Sequence, residues 1–80
     1  MKLKREWNLE VELRSSSLLA QYMAWRRLTV RKLAALVGVS KSTIGHLRSG
    51  KRSYCDPLVA NRIADVLDVP VDVLFFNQTG

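Results

Sequence analysis

The chain has 80 residues, of which 48% are hydrophobic, with 13 Lys and Arg against 7 Asp and Glu. That is the length of one small domain and too apolar for a disordered tail, while no apolar run nears the roughly 18 residues of a membrane span. One Cys and one His rule out an internal disulfide and a structural zinc site.

A reducing cytoplasm is therefore the expected location. The basic start is interrupted by Glu and does not read as a signal peptide. No membrane partner, cofactor, metal or small-molecule ligand is expected. The His, the Cys and the scattered Asp residues make no spacing that suits catalysis, so the chain is not expected to be an enzyme.

Residues 3–14 alternate, with Trp7, Leu9, Val11 and Leu13 on one side and Asn8, Glu10, Glu12 and Arg14 on the other. This is the pattern of a strand with one buried face. A strand needs a neighbour for its backbone groups. Two candidates exist: residues 75–79 of the same chain, which is preferred, and the same strand in a second copy.

Ser15, Ser16 and Ser17 break the strand and offer helix caps. Leu18, Leu19, Tyr22, Met23 and Arg26 then follow helical spacing to about Arg27. Trp25 falls off that stripe and reads as peripheral core. Arg26 and Arg27 sit where the helix dipole favours cations, and they could also meet a phosphate.

Residues 28–50 are the part around which the chain is organised. Thr29 can cap a helix in which Val30, Leu33, Ala34 and Val37 form one apolar face. Gly38 suits the left-handed backbone that ends it. Val39 is a buried peg, Ser40 caps a second helix over 41–49, and Gly50 ends that helix as Gly38 ended the first. Helix, tight Gly-containing turn and helix make a helix-turn-helix, whose second helix enters the DNA major groove.

At 100° per residue, Ile44 and Leu47 of that second helix face the core. Ser42, Gly45, His46 and Ser49 lie opposite, with Lys41 on the flank. Gly45 forgoes about 1 kcal/mol of helix propensity relative to Ala, which suits a surface trimmed for close approach by base edges.

The flanking loop contains Lys51, Arg52, Tyr54 and Cys55. The last is expected to be a small, partly buried residue with nothing nearby to activate it. Asp56-Pro57 is a helix start. Val59, Ile63, Val66 and Leu67 face inward on the helix that follows, and Val69-Pro70 separates it from a short last helix. Phe75 and Phe76 cannot share one helix face, so one of them packs on the N-terminal strand or across a dimer contact.

Charge follows the same plan. Residues 15–55 hold eight basic residues (Arg26, Arg27, Arg31, Lys32, Lys41, Arg48, Lys51 and Arg52) and no acidic one. Residues 1–14 hold four basic and three acidic, and residues 56–80 one basic and four acidic. Positive charge is thus concentrated around the proposed reading helix, as a DNA face requires.

From residue 28 to 75 the chain resembles the Cro and lambda-repressor-like (XRE-type) helix-turn-helix family. The resemblance rests on LTVRKLA, GVSKSTIGHLRSGKR and IADVLDVPVDVLF. It departs at Val30, where the family usually has a phosphate-touching Gln, and at Arg48, where it usually has an acid.

The resemblance implies a mainly α fold, a five-helix lambda-repressor-like bundle over 17–75 preceded by the strand of 3–14, as one domain over 1–80. It implies sequence-specific binding of double-stranded operator DNA by a Cro-like repressor, as a homodimer at least on DNA. The compact size is similar to that of small temperate-phage regulators.

Lys41, Ser42 and His46 are then the base-contacting candidates. Ser40, Thr43, Arg48, Ser49, Lys51 and Arg52 are the candidates for the DNA backbone. Two other readings stand beside this one: an antitoxin-like interaction module whose exposed strand pairs with a second protein, and an excisionase-like recombination accessory.

Overall fold

A computed structural model describes residues 10–76. The elements in chain order are β1 (Val11–Glu12), α1 (Ser16–Trp25), α2 (Val30–Val37), α3 (Lys41–Ser49), β2 (Tyr54–Cys55), α4 (Pro57–Leu67) and α5 (Val71–Leu74). This is the expected mainly helical arrangement of five helices with a short strand ahead of them. None of the helices is long and apolar enough to cross a membrane. The first part of the expected strand, with Trp7 and Leu9, lies outside the described residues.

Local chemistry sets the helix starts. Ser15, Thr29, Ser40 and Asp56 each accept a hydrogen bond from a backbone N–H of the following first turn, which relieves one of the orphan donors there. Pro57 occupies the first turn of α4, where its missing N–H costs nothing.

Three of the helix ends share one turn. In α1, Arg27 N–H donates to the Ala24 carbonyl at 3.0 Å and Leu28 N–H to Met23 at 2.9 Å. In α2, Gly38 and Val39 N–H both reach the Ala34 carbonyl, at 2.8 and 3.0 Å. In α4, Asp68 reaches Asp65 at 3.1 Å and Val69 reaches Ala64 at 3.0 Å. Each time a residue of positive φ (Arg27, Gly38 or Asp68) is followed by an apolar one packed on the core (Leu28, Val39 or Val69). The apolar contact and the recovered carbonyls hold the turn together. Val39, expected as a buried peg, is half-buried and packed against the core.

The core joins Leu19 and Met23 of α1, Leu33 and Val37 of α2, Ile44 and Leu47 of α3, Ile63 and Leu67 of α4, Leu74 of α5, and Phe75. Arg62, the basic residue of α4, donates from Nη1 to the Val37 carbonyl at 3.1 Å. It fastens the end of α2 and so serves the fold.

β1 is paired within the chain on both sides. Val11 faces Cys55 and Glu12 faces Tyr54 in antiparallel register, while Leu13 forms a bridge with Phe75. Phe76 N–H donates to the Glu12 carbonyl at 2.8 Å and Arg14 N–H to Leu74 at 2.7 Å. The pairing with Phe75 follows the preferred intrachain expectation. The pairing with Tyr54–Cys55 was not anticipated, because two residues wedged between Ser53 and the Asp56-Pro57 helix start are too few to show alternation.

Phe75 is buried and Phe76 exposed, as their adjacency required. The Arg14 guanidinium lies 4.6 Å from the Phe76 ring centroid, and its Nε donates to the Asp72 carbonyl at 2.8 Å. Trp25, expected as peripheral core, is 65% exposed and touches Tyr22 edge-on. It lies at the last turn of α1, beyond the stripe that Leu19 and Met23 bury.

Burial of Cys55 beside Asp56 and Glu10 raises its thiol pKa from 9.0 to about 11, with Arg52 opposing. Below about pH 9 the thiol is protonated in folded and unfolded chains alike, so its contribution is fully present there. As pH rises from 9 to 11 the unfolded chain sheds its proton first, and stability falls. The urea midpoint of the wild type should therefore drop relative to that of Cys55→Ala across this window, and equal pH profiles would contradict the burial. Phe75→Ala should cost about 3–5 kcal/mol in urea unfolding, and Phe76→Ala under about 1 kcal/mol.

Candidate nucleic-acid interface

Ile44 and Leu47 are both completely buried on α3. Removing each from water stabilises this seating by about 1.5–3 kcal/mol, far more than any surface preference of so short a helix. These two residues fix the rotation of α3. Lys41, Ser42, His46, Arg48 and Ser49 are consequently exposed, and Thr43 is half-buried. Nine residues make a rod about 13 Å long, comparable with the roughly 12 Å width of a major groove.

At the start of α3 the hydroxyls are locally engaged. Ser40 Oγ accepts from Thr43 N–H at 3.3 Å and stands 3.1 Å from Thr43 Oγ1. A hydroxyl has one proton and two lone pairs. With Thr43 donating to Ser40, the Ser40 proton is free to point outward.

At the other end Ser49 has no such freedom. Its Oγ donates to the His46 carbonyl and accepts from Lys51 N–H, both at 3.3 Å. The Arg52 N–H closes the same turn on the His46 carbonyl at 3.0 Å. Lys51 and Arg52, both exposed, are thereby held beside the last turn of the helix. Gly50, at φ 88, allows this and brings the chain close to α1: a Cβ there would lie 3.3 Å from Ser16 Oγ.

Gly45 needs a different explanation from the one its sequence position suggested. A Cβ built on it meets Val30 Cγ1 at 3.8 Å, and the residue is half-buried. Gly45 therefore faces the first turn of α2 and is not part of the open outer face. Helix periodicity alone could not reveal this, because it places residues around one axis and ignores where the neighbouring helix crosses.

That crossing also shows what lies next to α3. The first turn of α2 borders α3 at Gly45, and it carries the exposed Arg31 and Lys32. Sequence reasoning counted both in the acid-free stretch without placing them at the site. Arg26 and Arg27, treated alike in sequence, differ in the fold. Arg26 Nη2 lies 3.9 Å from an Asp68 carboxylate oxygen, a solvent-exposed pair of little energetic weight. The Arg27 side chain has no ion pair or hydrogen bond among the described residues.

Comparison with known proteins gives a consistent picture. A family model described as a helix-turn-helix domain matches residues 16–74. The uncharacterized HTH-type transcriptional regulator RghRB of Bacillus subtilis (strain 168) is 41% identical over 49 residues, 61% of this chain and 35% of that protein. The HTH-type transcriptional repressor RghR of the same organism is 35% identical over 51 residues, 64% of this chain and 38% of that protein. The aligned segments thus span little more than a third of the length of these curated relatives.

Two solved structures share the fold at 23% identity, each covering 71% of this chain. SinR, the master regulator for biofilm formation, in complex with DNA, superposes with a TM-score of 0.67 over 90% of its chain. The restriction-modification controller protein C.AhdI from Aeromonas hydrophila does so at 0.65 over 85%.

Because the Gly45 contact with Val30 has ordinary van der Waals spacing, a methyl group fits there. Gly45→Ala should raise stability by about 0.5–1 kcal/mol through helix propensity, seen as a higher urea midpoint. A lower midpoint would show that α2 and α3 sit closer than this geometry allows.

Proposed function

Since the chain belongs to the helix-turn-helix domain family over residues 16–74, we propose that it is a Cro-like transcriptional repressor that reads operator DNA in the major groove with α3. The observation that carries this reading is the seating of α3. Fully buried Ile44 and Leu47 turn a slim, carboxylate-free face of Lys41, Ser42 and His46 to solvent, with Arg48, Lys51 and Arg52 at its end. Repression is favoured by the name of the relative RghR, and DNA as ligand by the complex in which SinR was solved.

In this reading Lys41 donates to guanine O6 or N7, and Ser42 and His46 donate to or accept from base edges. Ser40, Arg48, Lys51 and Arg52 contact phosphates and set the register, while Thr43, donating to Ser40, aims the Ser40 hydroxyl at its phosphate. Ser49, whose proton is already donated to His46, has the supporting role of anchoring the Lys51–Arg52 turn. Binding is by a two-fold dimer formed at least on DNA, with half-sites about one helical turn apart, in the cytoplasm at the nucleoid. The residues 1–80 act as one DNA-binding unit.

Selection of bound sites from random duplexes supplies the test. A consensus should emerge, and Lys41→Ala or His46→Ala should each weaken it by about 1–3 kcal/mol and relax preference at particular base pairs. Lys51→Ala should weaken consensus and random duplexes alike. Absence of any consensus, or equal losses on both duplexes for every variant, would overturn the reading.

A further inference from the structure

Arg27 occupies the left-handed region, at φ 55. For an L-residue this conformation presses Cβ against the following carbonyl oxygen, and long side chains are rarely found there. The other described residues of positive φ are Gly38, Gly50 and Asp68. Glycine has no Cβ, and the short Asp side chain tolerates the region. Arg27 has neither property. Its turn is closed by two backbone hydrogen bonds, to which the arginine side chain contributes nothing. The backbone thus calls for glycine, while the side chain is exposed and unpaired among the described residues.

Its place in the fold suggests why arginine is there. Two residues on, Thr29 caps α2, and the next residue, Val30, lies beside Gly45 of α3, 3.8 Å from where a Cβ would stand. Arg27 thus leads, three residues ahead of Val30, into the helix turn that borders α3 and carries the exposed Arg31 and Lys32. A guanidinium is always charged, and its planar fork matches two phosphate oxygens. Backbone strain at a functional position persists where another interaction makes the residue worth keeping.

We propose that Arg27 is a DNA-backbone clamp, held at a strained turn because its guanidinium grips a phosphate beside the first turn of α2. The clamp rests on the duplex-binding reading above and extends the interface to the α1–α2 turn. It also couples stability to affinity: the residue that suits the backbone best is not the one that suits DNA.

The test uses the full chain, a random-sequence duplex two helical turns long, and a series of salt concentrations, since a phosphate contact acts on every sequence. Arg27→Gly should raise the urea midpoint and yet weaken duplex binding by about 3- to 10-fold, with the salt slope reduced by about 1. Arg27→Lys should keep the wild-type slope, because the slope counts charges. If Arg27→Gly leaves affinity and slope unchanged while the wild type binds, the clamp is wrong and the duplex reading stands. A lower urea midpoint for Arg27→Gly would overturn the strain argument. A wild type that binds no duplex would remove both.

Discussion

The burial of Ile44 and Leu47 decides which side chains of α3 face outward. A helix of nine residues has little stability of its own in water, so α3 exists because those two side chains anchor it among α1, α2 and the rest of the core. The same two residues determine which side chains face outward, because rotating α3 enough to bury His46 would expose one of them. Outer face and core are therefore two views of one packing decision.

The turns around α3 extend that constraint. Left-handed residues end α1, α2, α3 and α4, and after three of these helices an apolar residue returns the chain to the core. Such turns let short helices change direction within two residues, which keeps α2 and α3 close enough that a Cβ on Gly45 would meet Val30 at 3.8 Å. Seen this way, the glycine is a packing device of the two-helix unit. On the outer face the side chains are the modest ones of Ser42 and His46, both exposed.

Electrostatics is divided between the two halves of the fold. Lys41 and Arg48 lie on α3, Lys51 and Arg52 just after it, and Arg31 and Lys32 on the bordering turn of α2. Arg26 sits with the acids, 3.9 Å from Asp68, and Asp65, Asp68 and Asp72 lie on and beyond α4. The basic residue of α4, Arg62, is directed at a carbonyl at the end of α2. It is a structural fastener, like Arg14, which ties β1 to the segment around Leu74. Counting charge along the chain finds the acid-free stretch but cannot separate the cations that hold the protein together from those left exposed.

The sequence by itself determined the elements whose causes are local. The bounds of α3, the caps at Thr29, Ser40 and Asp56, and the left-handed glycines at 38 and 50 all follow from chemistry within a few residues. So does the family pattern that runs through them. Tertiary structure alone decided the features that depend on a neighbour distant in sequence. It placed Tyr54–Cys55 beside β1, turned Gly45 toward Val30, left Trp25 in solvent, and paired Arg26 with Asp68 while leaving Arg27 unpaired among the described residues. The physical reason is common to all four: periodicity and capping report how a segment folds about its own axis, whereas contact across the core depends on where the other axes pass.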